Sequence, residues 1–327
     1  MEPELVEAKE NIDGLLAKIP ILKNTIHKKI IGQEEVIDQL IIGLIASGHV
    51  LLEGVPGLAK TLMVKTLAES LSLDFNRIQF TPDLMPSDIL GTEIIQSDKE
   101  GNKFLEFMIG PVFTNIILAD EINRTPPKTQ AALLELMQEY AVTYAGKKYP
   151  LDKPFFLLAT QNPIEQSGTF PLPEAQVDRF LLFIKVDYPT AAEEEQILNL
   201  TTGTQNETIT SVLTGSEIIR LQKLCREVSI APDLVSQVST LVRNTRPDHT
   251  SLDNIKNYVD WGAGPRAGQS LILAAKAHAL LKGRYAVIPV DIKSVLFPVL
   301  RHRLILNFKA SSENITVDHI ISQLELK

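Results

Sequence analysis

The chain has 327 residues and a formal net charge of -8, with 44% hydrophobic and 22% charged residues. This length exceeds what one ordinary hydrophobic core accommodates, so we expect two domains. The hydrophobic content excludes a largely disordered chain. The acidic balance disfavours general binding to nucleic acids, because their phosphates carry charge of the same sign.

The N-terminus and the cysteine content indicate a cytoplasmic protein. The N-terminal MEPELVEAKE is acidic and polar, unlike a secretory signal. The most apolar stretch, residues 40–46, is far too short to span a bilayer, so we expect no membrane insertion. The single cysteine, Cys225, cannot form a disulfide within the chain, which fits a reducing compartment.

The first part of the chain predicts a parallel sheet flanked by helices. Helical spacing of Leu and Ile over residues 5–28, and a second amphipathic stretch that ends at residue 47, predict two helices. Five short apolar runs then alternate with helical segments, at 50–52, 77–80, 116–119, 155–160 and 181–186. Such runs are typical of strands buried on both faces of a parallel sheet. Ligands of such sheets bind beyond the carboxyl ends of the strands.

Two hairpins and a helical second half complete the expected organisation. Residues 93–107 and 140–151 each predict a β-hairpin, and the alternative for both is ordinary surface decoration. Helical patterns dominate beyond residue 188, at 191–200, 216–228, 232–246, 265–282 and 290–300. We therefore expect an α/β core over residues 1–188 and a mostly helical domain over residues 189–327.

A phosphate-binding loop is predicted directly after the first strand. The sequence Gly-Val-Pro-Gly-Leu-Ala-Lys-Thr at 54–61 follows that strand and opens a helix, as a P-loop requires. Its backbone N–H groups suit phosphates, Lys60 suits the β- and γ-phosphates, and Thr61 suits Mg²⁺. The general motif has glycine at Ala59, and alanine is acceptable only where positive φ is not required. The alternative is a Gly/Pro turn with an exposed Lys-Thr. The candidate nucleotide-binding residues are Gly54, Val55, Pro56, Gly57, Leu58, Ala59, Lys60, Thr61 and Leu62.

Polar side chains end two further apolar runs. Asp120 and Glu121 follow the run at 116–119, where Asp120 suits Mg²⁺ and Glu121 suits activation of an attacking water. The alternative is a helix N-cap. Asn162 follows the run at 155–160 and is placed to hydrogen-bond a γ-phosphate or the attacking water, although an Asn-Pro turn with Pro163 is the alternative.

Three arginines are candidate partners of a phosphate. Arg179 precedes the last core run, where it is expected to reach the edge of a subunit and serve a neighbouring nucleotide. Arg266 opens a helix of the second domain and is expected to reach back to the nucleotide. Arg124, just beyond the acidic pair, is a weaker candidate for a contact between subunits. The alternative for each is an ordinary surface arginine.

These motifs together resemble the MoxR family of AAA+ ATPases. The resemblance spans about residues 31–306 and is carried by Gly-x-Pro-Gly-x-Ala-Lys-Thr, Leu-Ala-Asp-Glu-Ile-Asn-Arg, Ala-Thr-Gln-Asn-Pro, Glu-Ala-x-x-Asp-Arg-Phe and Gly-Pro-Arg-Ala, in that order. It implies a P-loop AAA+ core with a five-stranded parallel sheet flanked by helices, and a smaller all-helical lid domain. It also implies that Ile31 and Gly32 touch adenine, that Arg179 is an arginine finger, and that Arg266 is a second sensor. The two hairpins look like inserts shared with the magnesium chelatase motor subunit and the minichromosome helicases.

The resemblance further implies a hexameric ring that uses ATP and Mg²⁺ to remodel client proteins. Such clients often carry a von Willebrand factor A domain, and some receive a metal. A DNA motor is one alternative, for which Lys147 and Lys148 on the second hairpin are thin support. A slow nucleotide-gated scaffold and a motor for metal insertion into a small-molecule precursor are the others. The client itself has no readable motif in the sequence.

Overall fold

The computed structural model describes residues 3–164, 168–203 and 208–326, with side chains from residue 12 onward. The elements of the first part are α1 (Pro3–His27), α2 (Glu34–Ile45), β1 (Val50–Glu53), α3 (Lys60–Ser70), β2 (Phe75–Gln79), α4 (Pro86–Leu90), β3 (Gly91–Ser97), β4 (Lys103–Ile109), β5 (Ile116–Asp120), α5 (Pro127–Glu139), β6 (Ala141–Tyr144), β7 (Lys147–Pro150), β8 (Phe156–Gln161), α6 (Glu174–Val177) and β9 (Leu182–Lys185).

Helices dominate the remainder of the described chain. The elements are α7 (Ala191–Thr202), α8 (Gly215–Glu227), α9 (Pro232–Asn244), α10 (Asp253–Tyr258), β10 (Val259–Trp261), α11 (Pro265–Leu281), α12 (Pro289–Leu300), β11 (Ile305–Leu306), α13 (Phe308–Ser312) and α14 (Val317–Ile321). In the part of the chain that the structure describes, no helix combines the length and apolar character needed to cross a bilayer.

The predicted parallel sheet is confirmed, and its strand order is β2-β5-β8-β1-β9. Every neighbouring pair in it is parallel. Successive side chains of a strand point to opposite faces. Accordingly, Ile116 and Leu118 of β5 join the hydrophobic cluster on one face, whereas Ile117 and Ala119 join the cluster on the other. The central strands therefore read as continuous apolar runs because both of their faces are covered.

The edge strand β2 starts earlier than predicted. The apolar pattern placed it at 77–80, but it spans Phe75–Gln79 and pairs residue by residue with β5. Only Ile78 of this strand is buried, which is why hydrophobicity located it poorly. Pairing with β5, not apolar content, sets its bounds.

Both predicted hairpins are present and contact each other. β3 pairs antiparallel with β4, and β6 pairs antiparallel with β7 around a turn at Ala145 and Gly146, which both have positive φ. The ring of Phe107 on β4 stacks on that of Tyr149 on β7, with centroids 4.3 Å apart. The same ring also contacts that of Tyr144 on β6, with centroids 5.1 Å apart, so Phe107 joins the two hairpins.

The second domain departs in one detail from the expected all-helical lid. β10 and β11 form a short antiparallel pair, because the segments that follow α10 and α12 lie side by side and satisfy each other's backbone groups. One hydrophobic cluster runs from α2 and α3 into α8, α9, α11 and α12. The boundary at residues 188 and 189 stays a prediction, and apolar packing continues across it.

Candidate nucleotide site

A cleft of about 420 Å³ lies at the carboxyl ends of β1, β5 and β8. These strands are neighbours in the sheet, so the residues that follow them meet at one edge. The predicted residues that line the cleft are Pro56, Gly57, Leu58, Ala59, Lys60, Thr61, Leu62, Asp120, Glu121 and Asn162. The sequence motifs therefore converge on a single cleft.

The P-loop wraps around the Lys60 side chain. Lys60 Nζ donates to the carbonyl oxygens of Gly54, at 2.5 Å, and Val55, at 2.8 Å. Burial lowers the pKa of Lys60 below its ordinary value, and the nearby carboxylates of Asp120 and Glu121 oppose that shift. The opposing effect of the two carboxylates on this pKa indicates that Lys60, Asp120 and Glu121 share one electrostatic environment.

Two positions of the P-loop require glycine, each for a different physical reason. A Cβ at Gly54 would lie 2.9 Å from the carbonyl oxygen of Val186, just beyond β9, so only glycine fits there. Gly57 has φ of +89°, and a Cβ there would meet no atom within 4 Å, so its constraint is conformational. The loop therefore needs glycine at these two positions for different reasons: close approach to Val186 at Gly54 and backbone conformation at Gly57.

The expectation that Ala59 avoids positive φ is wrong. Ala59 has φ of 53° and ψ of 21°, in the left-handed region, immediately before α3 begins at Lys60. The chain reverses there between the loop and the helix, and a single left-handed residue makes that turn. For a residue with a Cβ this conformation costs about 1–2 kcal/mol.

Thr160 and Arg77, which sequence reasoning missed, fix the carboxylate of Asp120. The hydroxyl of Thr160 donates to Asp120 Oδ1 at 2.5 Å and accepts the backbone N–H of Glu121 at 2.8 Å. Arg77 forms an ion pair with Asp120 Oδ2 at 2.7 Å. Both residues lie within predicted strands, and only the adjacency of β2, β5 and β8 brings them to Asp120.

Glu121 is held in a strained turn with its carboxylate paired. Its φ of 58° is in the left-handed region, directly after β5. Its Oε2 accepts from Gln79 Nε2 at 2.7 Å and from Arg124 Nε at 3.0 Å. Non-glycine residues in this conformation concentrate at functional sites. Arg124 thus contacts the acidic pair of its own chain.

Asn162 is buried in the cleft wall and shapes a turn at the same time. Only 6% of its surface is exposed, and its Oδ1 accepts the N–H of Ile164 at 3.1 Å. The turn with Pro163 and the position in the cleft are therefore both present, and they are compatible.

The donor set of the cleft suits Mg²⁺. The Thr61 hydroxyl and the Asp120 carboxylate both line it, and oxygen ligands are those that Mg²⁺ prefers. Asp120 is 8% exposed, so a buried negative charge beside the P-loop gains from a cation. The residues present fit the ion.

Comparison with known proteins decides the family. Residues 49–182 match the ATPase family associated with various cellular activities (AAA), and residues 253–324 match the AAA lid domain. Chaperone MoxR1 of Mycobacterium tuberculosis is 43% identical to the chain, covering 95% of this chain and 83% of its own length. Protein MoxR of Paracoccus denitrificans is 32% identical, covering 91% of each chain. The crystal structure of a Cytophaga hutchinsonii protein matches with a TM-score of 0.91 and 44% identity, covering 99% of this chain and 98% of that one. The chain belongs to the MoxR family of AAA+ ATPases.

Six predicted residues of this MoxR-family chain lie outside the lining of the cleft: the loop residues Gly54 and Val55, and Ile31, Gly32, Arg179 and Arg266. Arg266 pairs with Asp178 at 3.2 Å, and Arg179 donates to the carbonyl oxygen of Leu134 at 3.3 Å. Ile31 and Gly32 precede α2, and a Cβ at Gly32 would collide with the Glu193 carboxylate at the start of α7. The structure brings Arg266 next to the segment that carries Arg179.

Proposed function

We propose that this protein hydrolyses ATP and uses the free energy to remodel client proteins. The observation that carries the proposal is the convergence of Lys60, Asp120, Glu121 and Asn162 on one cleft at the edge of the sheet. A cation, two acids and an amide around an open P-loop supply what phosphoryl transfer to water requires.

Each residue of the cleft has a proposed task. The P-loop backbone and Lys60 bind the phosphates, and Thr61 and Asp120 hold Mg²⁺, which neutralises phosphate charge when it is bound. Glu121 orients the attacking water and accepts its proton, with Gln79 and Arg124 fixing one of its oxygens. Asn162 binds the γ-phosphate or that water, and Ile31 and Gly32 contact adenine. Catalysis then comes mainly from positioning and electrostatic stabilisation.

Arg179 is proposed to serve the nucleotide of a neighbouring subunit as an arginine finger, whereas Arg266 is proposed to reach back to the nucleotide as a second sensor. Neither lines the cleft of its own chain, and the pairing of Arg266 with Asp178 brings the two arginines to one place. An arginine that acts across an interface requires a head-to-tail contact, which closes into a ring, here a proposed hexamer. We expect the specific ATPase activity to rise with protein concentration. A flat activity from a species that stays monomeric in light scattering would contradict the ring.

We propose that the client is a cytoplasmic protein that carries a von Willebrand factor A domain. In some cases the client receives a metal. Apolar side chains on the β3–β4 hairpin are exposed, including Ile95 at 69% and Leu105 at 64%, which suits an apolar polypeptide. The two lysines of the other hairpin are engaged within the chain: Lys147 lies over the Tyr149 ring, and Lys148 pairs with Glu139. This disfavours a phosphate backbone as the client. The hairpins also support a proposed kinship with the magnesium chelatase motor.

The decisive experiment uses Glu121→Gln as an ATP-dependent trap. The variant should bind ATP, release no phosphate, and retain a client from its host's lysate only when ATP is present. Lys60→Met with Glu121→Gln is the matched control, because it lacks the phosphate-binding cation and should retain nothing. Retention of nucleic acid alone, removable by nuclease and salt, would replace the protein client with a DNA substrate. Unchanged phosphate release by Glu121→Gln would overturn the assignment of Glu121, and no release by the wild type would favour a scaffold.

A further inference from the structure

The segment that joins α6 to β9 carries Arg179 and is held from the second domain by a buried arginine. Arg303, which follows α12, donates through Nε to Asp178 Oδ1 at 2.8 Å. Its Nη2 donates to the carbonyl oxygens of Asp178, at 3.1 Å, and Phe180, at 2.7 Å. Its Nη1 donates to the carbonyl oxygen of Leu181 at 3.3 Å. The backbone on both sides of Arg179 is thereby bonded to a single guanidinium.

The same guanidinium also bonds two helices of the second domain. It donates to the carbonyl oxygen of Val299 on α12 and to the hydroxyl of Ser270 on α11. Ser270 lies four residues after Arg266, on the same side of α11. One side chain therefore joins α11, α12 and the Arg179 segment.

Arg303 is almost fully buried, unlike an ordinary surface arginine. Its side chain is 2% exposed, and burial lowers its pKa to about 10 while the Asp178 carboxylate opposes the shift. A buried cation is retained only when its donors are satisfied, and the planar guanidinium satisfies them in one rigid geometry. Movement of the Arg179 segment relative to α11 and α12 would break several of these bonds together.

The side chain of Arg179 contrasts with its fixed backbone. Among the residues that the structure describes, its guanidinium makes one long hydrogen bond, 3.3 Å, to the carbonyl oxygen of Leu134. A fixed backbone with a lightly held guanidinium suits a side chain that must reach a partner outside its own chain.

Asp178 is shared by two cations of unequal exposure. Arg266 pairs with Asp178 Oδ2 at 3.2 Å and is 44% exposed, whereas Arg303 pairs with Oδ1 at 2.8 Å and is almost fully buried. If Arg266 leaves for a phosphate, Arg303 still holds the carboxylate. The Arg179 segment then keeps its position while Arg266 changes partner.

We propose that Arg303 is a positioning residue for Arg179: by bonding Asp178, Phe180 and Leu181 to α11 and α12, it fixes the point from which Arg179 reaches a neighbouring subunit's nucleotide. This depends on the proposed trans role of Arg179. Arg303 is not among the residues that line the nucleotide cleft, and its effect passes through the backbone of the 178–181 segment.

The test separates a positioning role from a general loss of folding. Arg303→Met should lower kcat about a hundredfold, and Arg303→Lys about tenfold, because small misplacements of a catalytic group have effects of this size. Affinity for a fluorescent ATP analogue should stay within about twofold, since the cleft residues are separate from this cluster. Arg301→Lys is the matched control: Arg301 lies two positions away, pairs with Asp318 at 2.8 Å, and should leave kcat unchanged.

Mixing of variants supplies the readout that a merely structural residue would not give. Arg303→Met has an intact cleft, and Glu121→Gln has an intact Arg179 segment, so each should be nearly inactive alone. In an equal mixture, about one quarter of the sites should pair a good cleft with a good finger and regain activity, as a head-to-tail ring requires.

The proposal would be overturned by either of the following two results of the Arg303 experiments, and also by the outcomes at Arg179 given after them. One is wild-type kcat in folded Arg303→Lys, which also decides the matter if Arg303→Met does not fold. The other is a mixture no more active than the sum of its components. If Arg179→Ala itself keeps full activity, the trans finger fails, and with it the proposed role of both arginines. If Arg179→Ala is complemented in the mixture while neither Arg303 variant is, only the positioning role fails.

Discussion

The nucleotide cleft and the cluster around Asp178 are both groups of opposed charges, yet they are built from different sources. The cleft gathers residues that follow three neighbouring strands of one sheet. The Asp178 cluster joins residues 88 and 125 positions apart, Asp178 with Arg266 and with Arg303, from two parts of the chain. A sheet edge can assemble a phosphate site by itself, whereas the placement of Arg179 depends on how the second domain packs. On the proposed function, the first region binds the nucleotide, and the second fixes the point from which Arg179 reaches a neighbouring subunit.

The largest loss of ATPase activity should come from a substitution at Arg179, next to Asp178 in this cluster. Arg179→Ala should lower kcat about a thousandfold, because an arginine finger stabilises transition-state charge, while ATP affinity changes little. Steady-state phosphate release and nucleotide titration measure the two quantities. Arg243→Ala, on the exposed surface of α9, is the control and should behave as wild type. Loss of ATP affinity equal to the loss of kcat would place Arg179 with the cleft instead.

The second largest loss of ATPase activity should come from a substitution in the nucleotide cleft. Glu121→Gln should lower kcat about a hundredfold or more, because the amide cannot accept the proton of water. ATP binding should persist, as measured by equilibrium titration. Glu139→Gln, which removes an exposed partner of Lys148, should have no effect on turnover. Equal loss in both variants would indicate a general charge effect.

A substitution at Thr160 should have a smaller effect on activity, and it should separate the positioning of the cleft residues from their chemistry. Thr160→Val removes the hydroxyl that bridges Asp120 and the N–H of Glu121, and it leaves a buried acceptor unsatisfied. We expect unfolding free energy to fall by about 1–3 kcal/mol in denaturant titration and kcat to fall several-fold. Thr160→Ser keeps the hydroxyl and should restore most of both. A Val variant as stable and active as wild type would show that the bridge is unimportant.

The smallest effect concerns the backbone of the P-loop. Ala59→Gly should raise the unfolding free energy by about 0.5–1 kcal/mol, since glycine adopts positive φ without a steric cost. Ala192→Gly, in the first turn of α7, should lower it by up to about 1 kcal/mol. Thermal and denaturant unfolding of both variants measure the difference. The same sign in both would mean that Ala59 is unstrained.

The predictions from sequence succeeded where local pattern and sheet geometry suffice. The five strands and the convergence of Lys60, Asp120 and Glu121 follow from apolar runs that end in polar residues. The two hairpins follow from turn residues between short strand-like segments. The bounds of β2 and the conformation of Ala59 did not, because pairing with β5 and the reversal before α3 set them. The short β10–β11 pair also required knowledge of which segments lie side by side.

The sequence by itself determined the family, the parallel sheet and most of the residues that line the cleft. It could do so because a motif at the end of a strand indicates both a chemical role and a position at the edge of the sheet. The tertiary structure alone decided strand order, and with it the contacts of Arg77 and Thr160 to Asp120. It alone also decided that Arg303, which reads in sequence as one of several basic residues near the end of α12, is a buried cation. The physical reason is that burial and pairing of charges depend on contacts between distant segments, and no local pattern records them.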